Sequence, residues 1–182
     1  MLTVIVFTGL TGFVYPLAVT GFAQLAMHDD AEGDPDLLGR ASETVDYFWS
    51  RPSATSPDPY NGAASSGSNL GPLSETLVAN VQRRVDALCA ANVALNLECG
   101  APPVDLVTAS ASGLDPHISP EAAHYQAARI ARARGVERQS VDDLIAAGTE
   151  GRTFGLFGAP RVNVSILNRA LDVLAPKKAV GE

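Results

Sequence analysis

Ser110, Asp115 and His117 fall within eight positions of this 182-residue sequence, and a hydroxyl, a carboxylate and an imidazole are the parts of an acyl-transfer relay. Such a relay works when the three groups converge from separated chain positions with fixed hydrogen-bond geometry. No G-x-S-x-G elbow is present to hold the serine forward. Asp115-Pro116 followed by Ser119 instead describes an ordered turn leading into a helix. His117 and His124 with Asp115 offer metal-type ligands, but His117 precedes the expected helix start, so the seven-residue spacing does not place both rings on one face. No metal site is expected. Glu150-Gly151-Arg152 reads as a tight turn flanked by a surface ion pair, which contributes little. The only lysines are Lys177 and Lys178, which leaves no lysine for a phosphate-binding loop, and no T-V-G-Y-G filter run occurs. The one catalytic alternative is a secreted hydrolase or binding module using Asp115, His117 and Ser110.

These groups must be positioned by the elements around them. Leu37 to Trp49 opens the folded domain, and Ser50 to Pro72 is loop material with four prolines and a Gly/Ser cluster. Arg51, Ser53, Tyr60, Asn61, Ser68 and Asn69 punctuate that loop, more than a spacer needs. Ser74 is the expected N-cap of a helix carrying Leu77, Val78, Val81, Val85 and Leu88 on one face. Val104 to Ala109 alternates as a short strand would. Ser119-Pro120-Glu121 predicts a helix start by cap, first-turn proline and dipole, with the stop at Gly135. Ser140-Val141-Asp142-Asp143 resembles a capping box opening a helix that ends at Gly148. Asn163 is the expected cap of a last helix with Ile166, Leu167, Ala170, Leu171 and Leu174 inward. Helices outnumber strands, so the expected class is α+β.

Composition narrows the function classes. With 46% hydrophobic and 18% charged residues the chain is not a disordered acidic tail, and a net charge of −7 argues against binding nucleic acid. Residues Met1 to Ala26 carry no charged side chain, and the first charge is Asp29. Roughly 20 apolar residues cross a bilayer, so residues 1–27 are read as one transmembrane helix rather than a cleaved leader, which would show a basic start and a small-residue cleavage site. Gly9, Gly12, Tyr15, Pro16 and Gly21 in it are suited to close packing against another membrane helix. Residues 28–36 form an acidic connector, and 37–182 the domain, with the N-terminus inside and the domain outside as the expected orientation. Cys89 and Cys99 either pair outside the cytoplasm or remain separate thiols.

Longer strings add to this reading. Gly12-Phe13-Val14-Tyr15-Pro16-Leu17 lies in the apolar helix, Arg51-Pro52-Ser53 and Tyr60-Asn61-Gly62 in the loop. Gly67-Ser68-Asn69-Leu70-Gly71-Pro72, Gly113-Leu114-Asp115-Pro116-His117-Ile118-Ser119-Pro120, Thr149-Glu150-Gly151-Arg152 and Pro160-Arg161-Val162-Asn163-Val164 follow in order. This series, from about Leu10 to Asp172, resembles the C subunits of the Kdp-type potassium-transporting ATPases of prokaryotes. The resemblance implies a non-enzymatic accessory subunit, needed for assembly and stability of an ATP-driven potassium importer. Its implied partners are a channel-like potassium-binding subunit, a P-type ATPase subunit and a very small membrane peptide. It further implies a single-pass protein of the inner cell membrane with its domain on the outer face. The family is described as a catalytic chaperone raising the pump subunit's affinity for ATP, while ATP and K+ themselves are handled by the partners and no cofactor is expected here. The residues expected to matter are Arg51, Ser53, Tyr60, Asn61, Ser68, Asn69, Asp115, His117, Glu150, Arg152 and Asn163.

Overall fold

A computed structural model describes residues 1–31, 33, 35–41 and 44–176. The chain divides into two units, Met1–Leu37 and Leu38–Glu182. The first begins with a helix over Leu2–Ala26, long and apolar enough to cross a membrane and with none of its residues buried. Its α1 (Leu2–Gly9) and α2 (Tyr15–Ala26) are joined by a π-helical turn over Leu10–Val14. Pro16 explains the turn: its ring clashes with the carbonyl four residues back and it has no N–H to donate. The helix absorbs this by widening, and the Tyr15 N–H donates to Leu10 O, five residues back. Thr11 Oγ1 donates to Phe7 O at 2.7 Å. Gly9, Gly12 and Gly21 have open space beside them. The acidic stretch is more structured than a plain connector: α3 (His28–Ala31) and a 3₁₀ turn at Pro35–Leu37 occupy it. Glu32 and Asp34 lie outside the described residues.

In the second unit the long elements are α4 (Glu75–Val93), α6 (Pro120–Arg134), α7 (Arg138–Ala147) and α8 (Val164–Leu174). A small antiparallel sheet runs in the order β1-β3-β2, from β1 (His117–Ile118), β2 (Thr149–Glu150) and β3 (Arg161–Asn163). Ile118 pairs with Val162, which also faces Thr149. The α+β class holds. Phe48, Ile118, Ile130, Ile145, Val162, Leu167 and Leu171 form the centre of one core. Its alanines (Ala122, Ala123, Ala127) let α6 lie close against its neighbours.

Local signals placed most ends correctly. Ser74 Oγ accepts the Leu77 N–H, Ser119 Oγ accepts the Ala122 N–H, and Gly135 closes α6 in the left-handed region at φ +69°. Three expectations need correction. Val104 to Ala109 is not a strand; α5 (Val104–Val107) is a single helical turn, because burying the adjacent Leu106 and Val107 together requires helical rather than alternating geometry. α7 starts before the Ser140 box, with Glu137 as N-cap, and the earlier start gives Arg138 and Gln139 their i,i+4 partners Asp142 and Asp143. On α8 the buried stripe is Val164, Leu167 and Leu171, while Ile166 and Leu174 are exposed; on α4, Val78 is likewise exposed.

Two features are invisible in local sequence. Residues 48 and 49 belong to no helix or strand, and helix side chains take the place of a strand partner. Phe48 N–H donates to Asn168 Oδ1 at 2.9 Å and Asn168 Nδ2 returns to Phe48 O at 3.0 Å. Gln126 does the same for Trp49, accepting at 2.8 Å and donating at 3.2 Å. Two buried peptide groups are thereby satisfied without a sheet. Cys89 and Cys99 form a disulfide with Cα atoms 5.0 Å apart, closing the C-terminal end of α4 onto the following loop. A loop of this length contributes about 2–3 kcal/mol by restricting the unfolded chain.

Candidate functional site

The loop after Trp49 is rigid because its hydroxyls replace missing backbone partners. Ser53 Oγ donates to Gly113 O at 2.7 Å and accepts the Tyr60 N–H at 2.9 Å. Thr55 Oγ1 donates to Asp58 O at 2.7 Å and accepts the Asn61 N–H at 3.1 Å. Asn61 Oδ1 then caps the short 3₁₀ turn at Gly62–Ala64. The loop is fastened to residues 109–115 by Ser110 N–H to Pro52 O at 3.2 Å and Ser66 N–H to Ser112 O at 3.0 Å. Gly113 sits at the seam with φ +68°, and a Cβ there would lie 2.8 Å from Ser66 O and 3.2 Å from Ser53 Oγ. Only glycine meets both demands.

Asp115 anchors the second strand of this seam. Its Oδ2 pairs with the Arg51 guanidinium at 3.3 Å, and its Oδ1 accepts the His117 N–H at 3.0 Å with the His117 ring 3.3 Å away. Ser110 is 4% exposed, and its Oγ accepts the Gly113 N–H at 2.9 Å. The serine is thus spent on closing its own turn, so the hydrolase reading fails on geometry: an imidazole beside a carboxylate is present, but Ser110 is not held toward it. His124 instead pairs with Asp142 at 2.8 Å on the surface. Among the described residues no group of three or more possible ligands gathers around a metal position.

The Tyr60 phenol donates to Arg51 O, and burial pushes its pKa from 10.0 to about 12. A folded pKa above the unfolded one means that the folded state holds the proton longer. Tyr60's contribution is therefore complete below about pH 10 and is lost as pH rises through about 12. In absorbance titration one of the four tyrosines is expected to ionise near pH 12, and Tyr60→Phe is expected to remove that step. A Tyr60→Phe titration identical to wild type would exclude the assignment.

Glu150 and Arg152 separate. The ion partner of Glu150 is Arg161 across the hairpin, at 2.9 Å, so the expected pairing across Gly151 is replaced by a cross-strand one. Arg152 is exposed and, among the described residues, makes no side-chain hydrogen bond or ion pair. Asn163 ends β3 and accepts the Ser165 and Ile166 N–H groups, capping α8. Ser68 and Asn69 lie on the exposed part of the loop, Asn69 at φ +49°.

Sequence reasoning missed the most conspicuous surface. Between β2 and β3 the chain closes through a Thr153–Phe157 bridge, with Phe154, Gly155 and Gly158 in left-handed conformations. Its tip leaves Phe154 89%, Leu156 74% and Phe157 67% exposed. The readable signal was the apolar string Thr153-Phe154-Gly155-Leu156-Phe157-Gly158 with glycines interspersed. Three large apolar side chains exposed within one turn are the kind of surface that marks interaction sites in other proteins. The arrangement as a whole is suited to being held against something.

Comparison with known proteins bears on what that something is. A family model described as "KdpC: K+-transporting ATPase, c chain" matches residues 1–173. A protein of Sorangium cellulosum (strain So ce56), named potassium-transporting ATPase KdpC subunit, is 52% identical over 183 residues, covering 94% of either chain. Proteins of the same name from Polaromonas naphthalenivorans (strain CJ2) and Variovorax paradoxus (strain S110) are 52% and 50% identical, over 97% and 92% of this chain and 93% and 91% of their own.

Proposed function

Because the chain belongs to the KdpC family, the c chain of the K+-transporting ATPase, we propose that it works by holding other subunits together rather than by chemistry of its own. It is an accessory, non-catalytic subunit of a potassium import complex. The observation that carries the mechanical reading is the pairing of a membrane-length helix with an exposed apolar hairpin tip on a rigid domain. The helix confines the chain to the bilayer, and confinement raises the effective concentration of the domain at any partner in the same membrane. The tip supplies the contact, and the Ser53–Gly113 and Arg51–Asp115 seam keeps the domain stiff.

In this reading residues 1–27 span the inner membrane, 28–36 connect, and 37–182 lie outside the cytoplasm. The Cys89–Cys99 disulfide supports that orientation, since such bonds persist in oxidising compartments. The partners are a channel-like potassium-binding subunit, a P-type ATPase subunit and a small membrane peptide. Gly9, Gly12, Tyr15, Pro16 and Gly21 are where the span packs against them, and the open space beside the three glycines supports close helix approach. Arg152, Ser68 and Asn69 face partners, while Arg51, Ser53, Tyr60, Asn61, Asp115, His117, Glu150 and Asn163 act by shaping the loops. A domain outside the cytoplasm cannot touch cytoplasmic ATP. Any gain in the pump's ATP affinity is therefore allosteric, through contacts that differ between two pump conformations.

Purification from detergent-solubilised membranes, with the mass of the intact chain measured, tests the proposal. The full-length chain is expected in the membrane fraction, retaining larger membrane proteins. A shortened chain free in solution, or a full-length chain that retains none of them, would overturn it.

A further inference from the structure

Besides the seam and the hairpin tip, the domain contains a cavity of about 430 Å³ between the 49–60 segment and α4. Arg40, Arg51 and Arg84 line it, together with Trp49, Tyr60 and Leu106, and no acidic side chain is among its lining residues. Three guanidinium groups around one hollow are unexpected in a chain of net charge −7. Like charges gathered in a partly dry space repel, so the arrangement costs free energy unless it is neutralised.

The neutralising groups within the chain are few. Arg51 shares Asp115 with His117, and its Nε is buried without a hydrogen-bond partner. Among the described residues the one hydrogen bond of the Arg84 side chain is from Nη1 to Val107 O at 2.8 Å, a neutral acceptor. Burial, with Arg83 beside it, lowers the Arg84 pKa, as expected of a cation without a counter-charge. Arg40 has no ion pair among the described residues. Guanidinium forks of this kind donate in parallel to an anion with several acceptor oxygens.

We propose that this cavity binds a small organic anion, a carboxylate or phosphate carried on an apolar body. The charged end meets Arg51 and Arg84, with Arg40 at the side, and the apolar body lies against Trp49, Tyr60 and Leu106. The volume exceeds what one acidic side chain fills and lies within the ordinary range of small-ligand sites, about 300–1,000 Å³. That difference favours a free ligand over an acidic residue of a neighbouring protein. The inference is independent of the holding role proposed above, since it concerns what this domain binds by itself.

Trp49 is the only tryptophan in the chain and lines the cavity, so its emission reports occupancy directly. The full-length chain in a neutral detergent is titrated with phenyl phosphate, benzoate, inorganic phosphate and benzyl alcohol. Phenyl phosphate or benzoate is expected to change the emission saturably. Inorganic phosphate should bind at least tenfold more weakly, and benzyl alcohol should give no saturable signal. Arg84→Gln is expected to weaken the organic anion at least tenfold and Arg40→Gln about threefold. Among the described residues the Arg40 side chain makes no hydrogen bond or ion pair, so Arg40→Gln reads binding even if Arg84→Gln unfolds. Absence of saturation with both organic anions, equal binding of benzyl alcohol, or wild-type affinity in Arg40→Gln and in a folded Arg84→Gln would overturn the proposal. Binding by the isolated chain that vanishes in the intact complex would also overturn it, assigning the cavity to a partner's side chain.

Discussion

Replacing Phe154 and Phe157 together by aspartate is expected to abolish retention of the larger membrane subunits by this chain, while its melting temperature moves by no more than about 2 °C. Both side chains are largely exposed, so neither contributes to the core, and the surface change alone costs little stability. Buried against a partner, an aromatic anchor typically contributes about 2 kcal/mol or more, and a carboxylate in its place adds a desolvation penalty. The pair should therefore weaken association by at least about a hundredfold. Val173→Asp is the control, an exposed apolar residue on α8 and not part of the turn, and should leave recovery unchanged. If the Phe154/Phe157 variant is recovered with its partners as efficiently as wild type, the hairpin tip is not the holding surface. Arg152→Ala, an exposed charge at the base of the same turn, should have the smaller effect expected of a rim residue.

Arg129→Ala should lower the unfolding free energy of the domain by about 3 kcal/mol, read as a fall of roughly 10 °C in melting temperature. Arg129 lies in the middle of α6 and is 1% exposed. Its Nη1 donates to Val45 O at 2.5 Å, its Nη2 donates to Gln126 Oε1 at 2.7 Å, and the guanidinium lies 4.9 Å from the Trp49 ring centre. Burial lowers its pKa to about 10, with the nearby Asp46 acting in the opposite direction. It is therefore still a cation at neutral pH. A base whose folded pKa is depressed costs stability while charged, and that cost falls as pH rises above about 10. The charge itself is a burden, and its hydrogen bonds are the benefit. Truncation removes the donors, takes the Arg129 N–H from the Val45 carbonyl while Thr44 O keeps the Trp49 indole N–H at 2.8 Å, leaves a void, and frees Gln126, which holds the Trp49 backbone. Arg132→Ala, exposed on the same helix, should stay within about 0.5 kcal/mol of wild type. A melting temperature within about 2 °C of wild type for Arg129→Ala would show that the network is not what holds residues 44–49 in place.

The site was legible in unequal parts. Arg51, Ser53, Tyr60, Asn61 and Asp115 stood out as polar residues in a loop too decorated to be a spacer, and the structure joins them along one seam. The turn reading of Asp115-Pro116 was sound because an aspartate bonding the N–H two residues on is a local event. Glu150 was paired with the wrong arginine: the hairpin brings Arg161 across, eleven positions away, where sequence proximity suggested Arg152. The exposed tip went unread because Phe, Leu and Phe in sequence look like core, and their exposure depends on which strands pair beneath them.

From sequence alone came the membrane-length apolar stretch, the α+β class, the caps at Ser74, Ser119 and Asn163, the stop at Gly135, and the family resemblance. All of the structural features in that set are set by side chains within a few residues of the backbone they affect, or by composition over one continuous segment. Only the tertiary structure decided the amide clamps on Phe48 and Trp49, the burial of Arg129, the closure of Cys89 on Cys99 and the arginine-lined cavity. The clamps join residues 120 and 77 positions apart, and no local preference encodes which of many distant amides will satisfy a given peptide group. That choice belongs to the packed core, where burial makes an unpaired polar group costly enough to select one arrangement.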